Sequence, residues 1–296
     1  MISIVTAYYN RKKLFINTLQ SIKRQQFTGD FEVIAVDDGS GEEERLEDLT
    51  EEFPFLKVIY LDPANKWYKN SCIPFNIGFR AAKGDKIIIQ NPECFHLGDI
   101  LKYTNEYLND KNYLSFGCFS LDKEVTDHLD TFLVQNKIEK IIKENAYVVK
   151  NDGALGWYNH SLHRPYALHF CTAISKNTLD KLQGFDERFA LGIAYDDNEF
   201  IQRVRKNLKV KFVDAEIVLH QNHYSPNSLS YAQNPEKEVL MARNQYILAN
   251  RLAKLNYNYI FSFFSGATKK RSIEITFQFE KKIRYLLNVG NHIFLK

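Results

Sequence analysis

Apolar runs that stop abruptly at polar turns dominate the first part of this chain. Residues 2–7, 31–36, 56–61 and 86–90 are short and β-branched or aromatic, and each is bounded by turn residues. That pattern predicts strands. Between them lie stretches with helical spacing. Leu14, Ile16, Leu19 and Ile22 mark a helix over 11–26, Leu46 and Leu49 give 42–53 helical character, and 75–83 reads as a helix stopped by Gly84-Asp85. Strands alternating with helices predict a mainly parallel sheet with helices on both faces, joined by right-handed crossovers.

Regularity fades after residue 120. The stretch 121–152 is polar and helical in places, and reads as an insertion that builds part of an acceptor side. A short helix is predicted over 177–182, another over 197–207 (Phe200, Ile201, Val204), a strand over 210–219 ending at His220, and a helix over 236–256. The organisation expected is one α/β domain over 1–235, with halves 1–120 and 121–235, followed by a helical basic extension over 236–296.

The turns carry the chemistry. Ala7-Tyr8-Tyr9-Asn10 and Asp37-Asp38-Gly39-Ser40 end the first two strands, where parallel sheets hold ligands. Asp, Gly and Ser are also ordinary turn formers. Farther on come Gly184-Phe185-Asp186-Glu187 and Tyr195-Asp196-Asp197-Asn198-Glu199-Phe200, an acidic cluster at a predicted helix start. An acid at such a position caps a helix, and the positive end of the helix dipole also keeps a carboxylate ionised.

Together these segments resemble the nucleotide-sugar-dependent glycosyltransferases of the GT-A fold, most closely glycosyltransferase family 2, over roughly residues 2–225. The resemblance implies an inverting transfer from a nucleoside-diphosphate sugar, with UDP as the expected nucleotide, to a saccharide or lipid-linked glycan. Ala7, Tyr9, Asp37, Asp38 and Asn76 are then the nucleotide-binding set. Asn76 matches the Asn of the family's Arg-Asn-x-Gly segment; the Arg is missing, and Lys66 or Lys69 takes over its charge. Asp197, with Asp196 second, is the general base, and Asp196 also binds acceptor hydroxyls. The family's Asp-x-Asp metal signature is replaced by Asn91-Pro92-Glu93, leaving Glu93 as its one carboxylate. His220, with His223 as runner-up, completes a site for Mn²⁺ or Mg²⁺. No cysteine pair accompanies them, which argues against zinc. Trp157, near His160, His163 and Arg164, is either an acceptor-stacking platform or a core residue.

Two other classes fit an α/β sheet of this kind. A sugar-nucleotide nucleotidyltransferase needs a Gly-rich loop after its first strand, and Tyr8-Tyr9-Asn10-Arg11 has no Gly. A non-catalytic glycan-binding module on a transferase scaffold is kept open by Asn91, and the intact Asp196-Asp197 pair argues against it.

Composition changes this picture little. The chain has 296 residues, enough for a large core, and is 45% hydrophobic and 25% charged. Cys72, Cys94, Cys118 and Cys171 form no CxxC pair and are expected to be reduced thiols of a cytoplasmic protein. The chain enters a strand at once, leaving no room for a signal peptide, and no apolar run approaches the ~20 residues of a membrane span. The net charge of +3 does not suggest nucleic acid as a partner, but its distribution is uneven. Residues 266–296 hold seven Lys and Arg against two Glu, with Phe277, Phe279, Tyr285 and Phe294 interleaved. Such a tail suits an anionic membrane surface, a solvated helix or an oligomer contact.

Overall fold

The structure, a computed structural model, describes residues 1–147, 153–223, 235–250, 258 and 264–294. The N-terminal half builds β1 (Ile2–Tyr8), α1 (Lys12–Lys23), β2 (Phe31–Asp37), β3 (Leu56–Tyr60), α2 (Cys72–Ala81) and β4 (Lys86–Gln90). Then follow β5 (Cys94–His96), α3 (Ile100–Tyr107), β6 (Asn112–Ser120), α4 (Lys123–Asp127), α5 (Leu129–Val134) and α6 (Lys137–Glu144). The remainder comprises β7 (Gly156–Asn159), β8 (Cys171–Ser175), α7 (Lys176–Leu182), α8 (Asp196–Asn207), β9 (Lys209–His220), α9 (Pro235–Asn250) and α10 (Gly266–Phe294).

Among the described residues, nine strands join one sheet in the order β3-β2-β1-β4-β8-β6-β9-β5, with β7 on β6. The block β3-β2-β1-β4 is parallel, as the alternation predicts. Beyond it, β8 runs antiparallel to both β4 and β6, while β6 and β9 are parallel. Successive residues of the apolar runs serve opposite faces. Ile4, Val33 and Ala35 pack with Leu19 and Ile22 of α1, whereas Val5, Ile34 and Val36 pack with Phe75 and Phe79 of α2. Both faces are buried, so these strands read as continuous hydrophobic runs without alternation. Gly78 lets α2 lie close to the sheet: a Cβ there would come within 2.4 Å of Val5 Cγ1.

The 42–53 segment departs from expectation. It forms two short 3-10 turns, Glu42–Glu44 and Glu47–Thr50, separated by extended backbone at Arg45. Three successive glutamates offer nothing to bury, and Leu46, Leu49 and Phe53 anchor the loop individually. The insertion is helical as expected, and α4–α6 cover β6 and β7 through Val125, Leu129 and Ile138. The 236–256 helix runs over Pro235–Asn250; the rest of that expectation lies outside the described residues.

The C-terminal helices are packed onto the domain. Asn244 of α9 donates to the carbonyls of Phe189 (3.1 Å) and Ala194 (2.9 Å). From α10, Glu280 pairs with buried Arg188 at 3.2 Å and Lys269 with Glu187 at 3.1 Å. Among the described residues, no helix is long and apolar enough to cross a membrane.

Candidate active site

The parallel register sets Ala7 beside Val36 and Tyr8 beside Asp37, so the first two polar turns emerge together at the carboxyl edge of the sheet. They are laced to each other: the Asn10 amide donates to Ser40 Oγ (3.0 Å) and the Gly41 amide to Asn10 Oδ1 (2.9 Å). They open into a cleft of about 580 Å³. Asp38 lines it and accepts from Tyr68 Oη and Lys66 Nζ, each at 2.6 Å. Half-exposed Tyr9 lies alongside, with Lys66 Nζ 5.4 Å from its ring centroid. Lys66 and Lys69 both line the cleft, where cations suit a diphosphate.

Glu93 follows β4 and is 2% exposed. Its Oε2 accepts from Arg11 Nη1 at 2.7 Å, while Oε1 faces His220 Nε2 at 3.0 Å and His223 Nε2 at 3.5 Å. The short antiparallel pairing of β5 with β9 sets Cys94 beside His220, which brings the end of β9 to Glu93. His220 is wedged edge-on against Tyr158 and Phe170, fixing its ring plane. One ligand atom from each of Glu93, His220 and His223 lies within 4.8 Å of the others, a spacing that fits one cation. One carboxylate with two imidazoles suits Mn²⁺ better than Mg²⁺, which favours oxygen throughout. Burial alone would raise the Glu93 pKa. The Arg11 charge, the His220 hydrogen bond and both imidazoles together hold it well below the ordinary carboxylate range.

Asp196 and Asp197 open α8 at the other wall of the cleft. Asp196 is buried, its Oδ1 accepting from Asn70 Nδ2 at 2.9 Å. Its Oδ2 has no hydrogen-bond partner among the described residues. Burial, and then the charge of Asp197, push its pKa up. Asp197 is less enclosed, and its Oδ1 accepts from the Asn198 amide at 2.7 Å. The approach is strained: Ala194 and Tyr195 both adopt left-handed backbone, φ 58° and 66°. Asn244, through the Ala194 carbonyl, and Arg203, clamping Glu199 and the Gly184 carbonyl (2.8 Å), hold that geometry. Below, Phe75, Phe79, Phe185 and Phe200 form a buried ring cluster with centroids 4.8–6.0 Å apart. Each buried ring contributes about 1.5–3 kcal/mol, so α8 starts from a rigid floor.

Three expected site residues stand elsewhere. Asp37 is fully buried and does not line the cleft; its Oδ1 accepts from the Ser40 amide at 2.8 Å and shapes the turn that presents Asp38. Asn76 is buried outside the cleft, donating to the Phe185 carbonyl and accepting from the Phe185 amide, both at 2.9 Å. It braces the Gly184–Glu187 segment, and Gly184 is required there: its φ is +62° and a Cβ would lie 2.4 Å from Asn76 Oδ1. Trp157 is core. It is buried against Phe119, donates to the Ala146 carbonyl at 3.1 Å and does not line the cleft. Conversely, Arg11, Tyr68, Asn70 and His169 line or brace the site unforeseen. Arg11, in the turn after the first strand, and Tyr68 and Asn70, between Lys66 and Asn76, stood in segments to which the resemblance pointed; His169 carried no sequence signal.

Comparison with known proteins bears on this assembly. Residues 3–163, more than half of the chain, match the family model described as Glycosyl transferase family 2. The chain belongs to glycosyltransferase family 2. A curated relative, chondroitin synthase of Escherichia coli, is 29% identical over 244 residues, covering 74% of this chain and 34% of its own length. The family-2 chain thus spans about a third of that relative. Among solved structures, S. aureus TarS superposes with a TM-score of 0.52 at 17% identity, covering 86% of this chain and 40% of TarS. The mannosyltransferase PcManGT from Pyrobaculum calidifontis, in complex with GDP-Man and Mn²⁺, gives 0.53 at 14% identity, covering 100% and 80%. TarS 1–349 in complex with UDP-GlcNAc gives 0.52 at 17%, covering 86% and 68%. These likenesses show the GT-A fold.

Proposed function

We propose that this glycosyltransferase is an inverting enzyme that uses a UDP-linked sugar and a saccharide or lipid-linked glycan acceptor, with Asp197 as general base. The observation that carries the reading is the gathering of four groups of side chains, from six stretches of the chain, around one cleft: Tyr9 and Asp38, Lys66 and Lys69, Glu93 with His220 and His223, and the Asp196-Asp197 pair. Asp38 and Tyr9 offer a carboxylate and an aromatic face to a base, which presents N–H donors and a flat ring. Glu93, His220 and His223 would hold a divalent cation, which when bound offsets charge on the leaving diphosphate. In the transfer, the acceptor hydroxyl oxygen bonds to the anomeric carbon as the bond to the diphosphate oxygen breaks. The diphosphate leaves with the electron pair, and Asp197 takes the hydroxyl proton. The relatives support the donor class in that TarS binds UDP-GlcNAc and PcManGT binds GDP-Man with Mn²⁺.

Asp38 tests the nucleotide end. Asp38→Ala should weaken UDP binding about tenfold or more, the loss of a charge-assisted hydrogen bond to the base, while leaving the far-ultraviolet spectrum unchanged. Calorimetry with UDP and Mn²⁺ decides it; equal affinities remove Asp38 from the site.

Peripheral contact with an anionic membrane is also part of the proposal. Ile275, Phe279, Tyr285 and Leu286 are 58–68% exposed on α10, with Arg271 and Lys282 among them. Replacing Ile275 and Phe279 by Glu should abolish salt-sensitive flotation with phosphatidylserine vesicles. Unchanged flotation, or none by the parent protein, rejects the contact.

A further inference from the structure

The reaction cleft has a neighbour. Lys69, one of its lining residues, is also part of a second groove of about 610 Å³ bounded by α9, α10 and the Trp67–Lys69 segment. Half of its twelve lining residues are aromatic rings or lysines, and Leu191, Val239, Leu240 and Ala242 add aliphatic surface. Trp67, Tyr246 and Phe277 present rings, the last two packed edge to face at 5.8 Å. Lys69, Lys270 and Lys281 present ammonium groups that form no ion pair among the described residues. The contributions of α10 fall at 270, 274, 277 and 281, a single helical stripe. At ~100° per residue it lies on the face roughly opposite the exposed Ile275-Phe279 stripe.

The one acid in the lining is already neutralised. Glu274 pairs with Arg243 at 3.4 Å. Arg243 in turn donates to the Arg188 carbonyl (3.2 Å) and lies 4.5 Å from the Phe277 ring centroid, which fixes that ring's position. The groove therefore carries three uncompensated positive charges beside aromatic faces, and it meets the reaction cleft at a cation.

We propose that this groove is the acceptor channel and that it receives a saccharide chain bearing anionic groups. The proposal rests on the glycosyltransferase reading above and names the acceptor class for that site. Sugar rings offer apolar C–H faces that stack on Trp and Tyr. Carboxylate or phosphate substituents pair with the three exposed ammonium groups, an attraction that salt screens. A neutral glycan would use the rings and leave the lysines idle. Lys69 is the joint at which the chain end passes from the groove to the cleft that holds Asp197.

The experiment is direct binding by calorimetry, at low and at high salt. The probes are a chondroitin hexasaccharide, its carboxyl-reduced counterpart, and a phosphate-bearing oligosaccharide of similar length. The wild-type chain should bind one or both anionic probes, with affinity falling as salt rises, and bind the reduced hexasaccharide at least severalfold more weakly. Lys270→Glu combined with Lys281→Glu should weaken anionic binding roughly tenfold and leave UDP binding and donor hydrolysis unchanged, since neither residue touches the reaction cleft. Which anionic probe binds distinguishes a carboxylate from a phosphate substituent. Binding of neither anionic probe overturns the proposal, as does equal binding of the reduced hexasaccharide or a charge-reversed variant that binds like wild type. Failure of the transferase reading is a separate result: it shows as absent UDP binding and donor hydrolysis, whatever the oligosaccharides do.

Discussion

Asp197→Asn should bind UDP and donor sugar almost normally and lose 10²- to 10⁴-fold in transfer rate, the usual contribution of a general base. The amide preserves shape and still accepts the Asn198 amide through its oxygen, so α8 keeps its start. What it lacks is a site for the acceptor proton. Asp196→Asn is expected to differ in kind. Asp196 is buried on Asn70 with its other oxygen unpartnered among the described residues, and burial favours its neutral form. An amide there retains the Asn70 contact and relieves repulsion with Asp197, so turnover should fall less and KM for the acceptor should change more. Single-turnover kinetics with UDP affinity measured in parallel separate the two. A Asp197→Asn enzyme with near-normal turnover beside an inactive Asp196→Asn would transfer the base role to Asp196. Two near-normal variants would remove it from the pair.

The parallel block was legible because its strands are buried on both faces and so written as unbroken apolar runs, with Asp38 and Tyr9 at their ends. The acid pair was legible because Gly184-Phe185-Asp186-Glu187 frames a helix start. The strands β5, β6, β7 and β8 were not: β5, β7 and β8 have only three to five residues, too few to show periodicity, and in β6 the buried Ser115 and Ser120 with Gly117 interrupt the apolar run. Asn76 and Asp37 illustrate a different limit. Both are polar residues beside a ligand-binding edge, and sequence position cannot tell a side chain that faces the cleft from one turned inward to satisfy backbone groups. Asn76 satisfies both the amide and the carbonyl of Phe185, so it is consumed by structure. Trp157 shows the same limit in apolar form: sequence left it open between a stacking platform and a core residue, and the ring packs inward on Phe119 where the insertion covers it. The role of α10 was hidden because Glu280 looks like one of two acids in a basic tail, yet it is buried against Arg188, which also holds Asp186 at 2.6 Å.

The largest combined effect on stability and function is expected at Glu93. Glu93→Ala would leave the Arg11 guanidinium facing two imidazoles with no anion between them. Breaking a buried ion pair by deleting one partner costs about 3–5 kcal/mol, and Arg11 is a quarter exposed, which places the expectation near the lower figure. For a chain of this size that is a fall in Tm of about 5 °C. The carboxyl is held below its ordinary value, so its contribution is complete above a pH of about 4.3 and is lost only as pH falls through the depressed value in the folded state. The deficit should therefore persist from pH 6 to 8 and shrink only in acid. Glu93→Gln separates structure from metal use. Its amide oxygen still accepts from Arg11 and keeps the side-chain volume, so much of the stability should return, but it is a far weaker ligand than a carboxylate. Wild type should gain several degrees in Tm from UDP with Mn²⁺ over UDP alone, and Glu93→Gln should lose that increment while keeping the response to UDP. His220→Ala should lose it too, because its Nε2 lies 3.0 Å from the same oxygen. A Glu93→Gln protein with the full Mn²⁺ increment would show that Glu93 is an ion-pair partner for Arg11 and not a metal ligand.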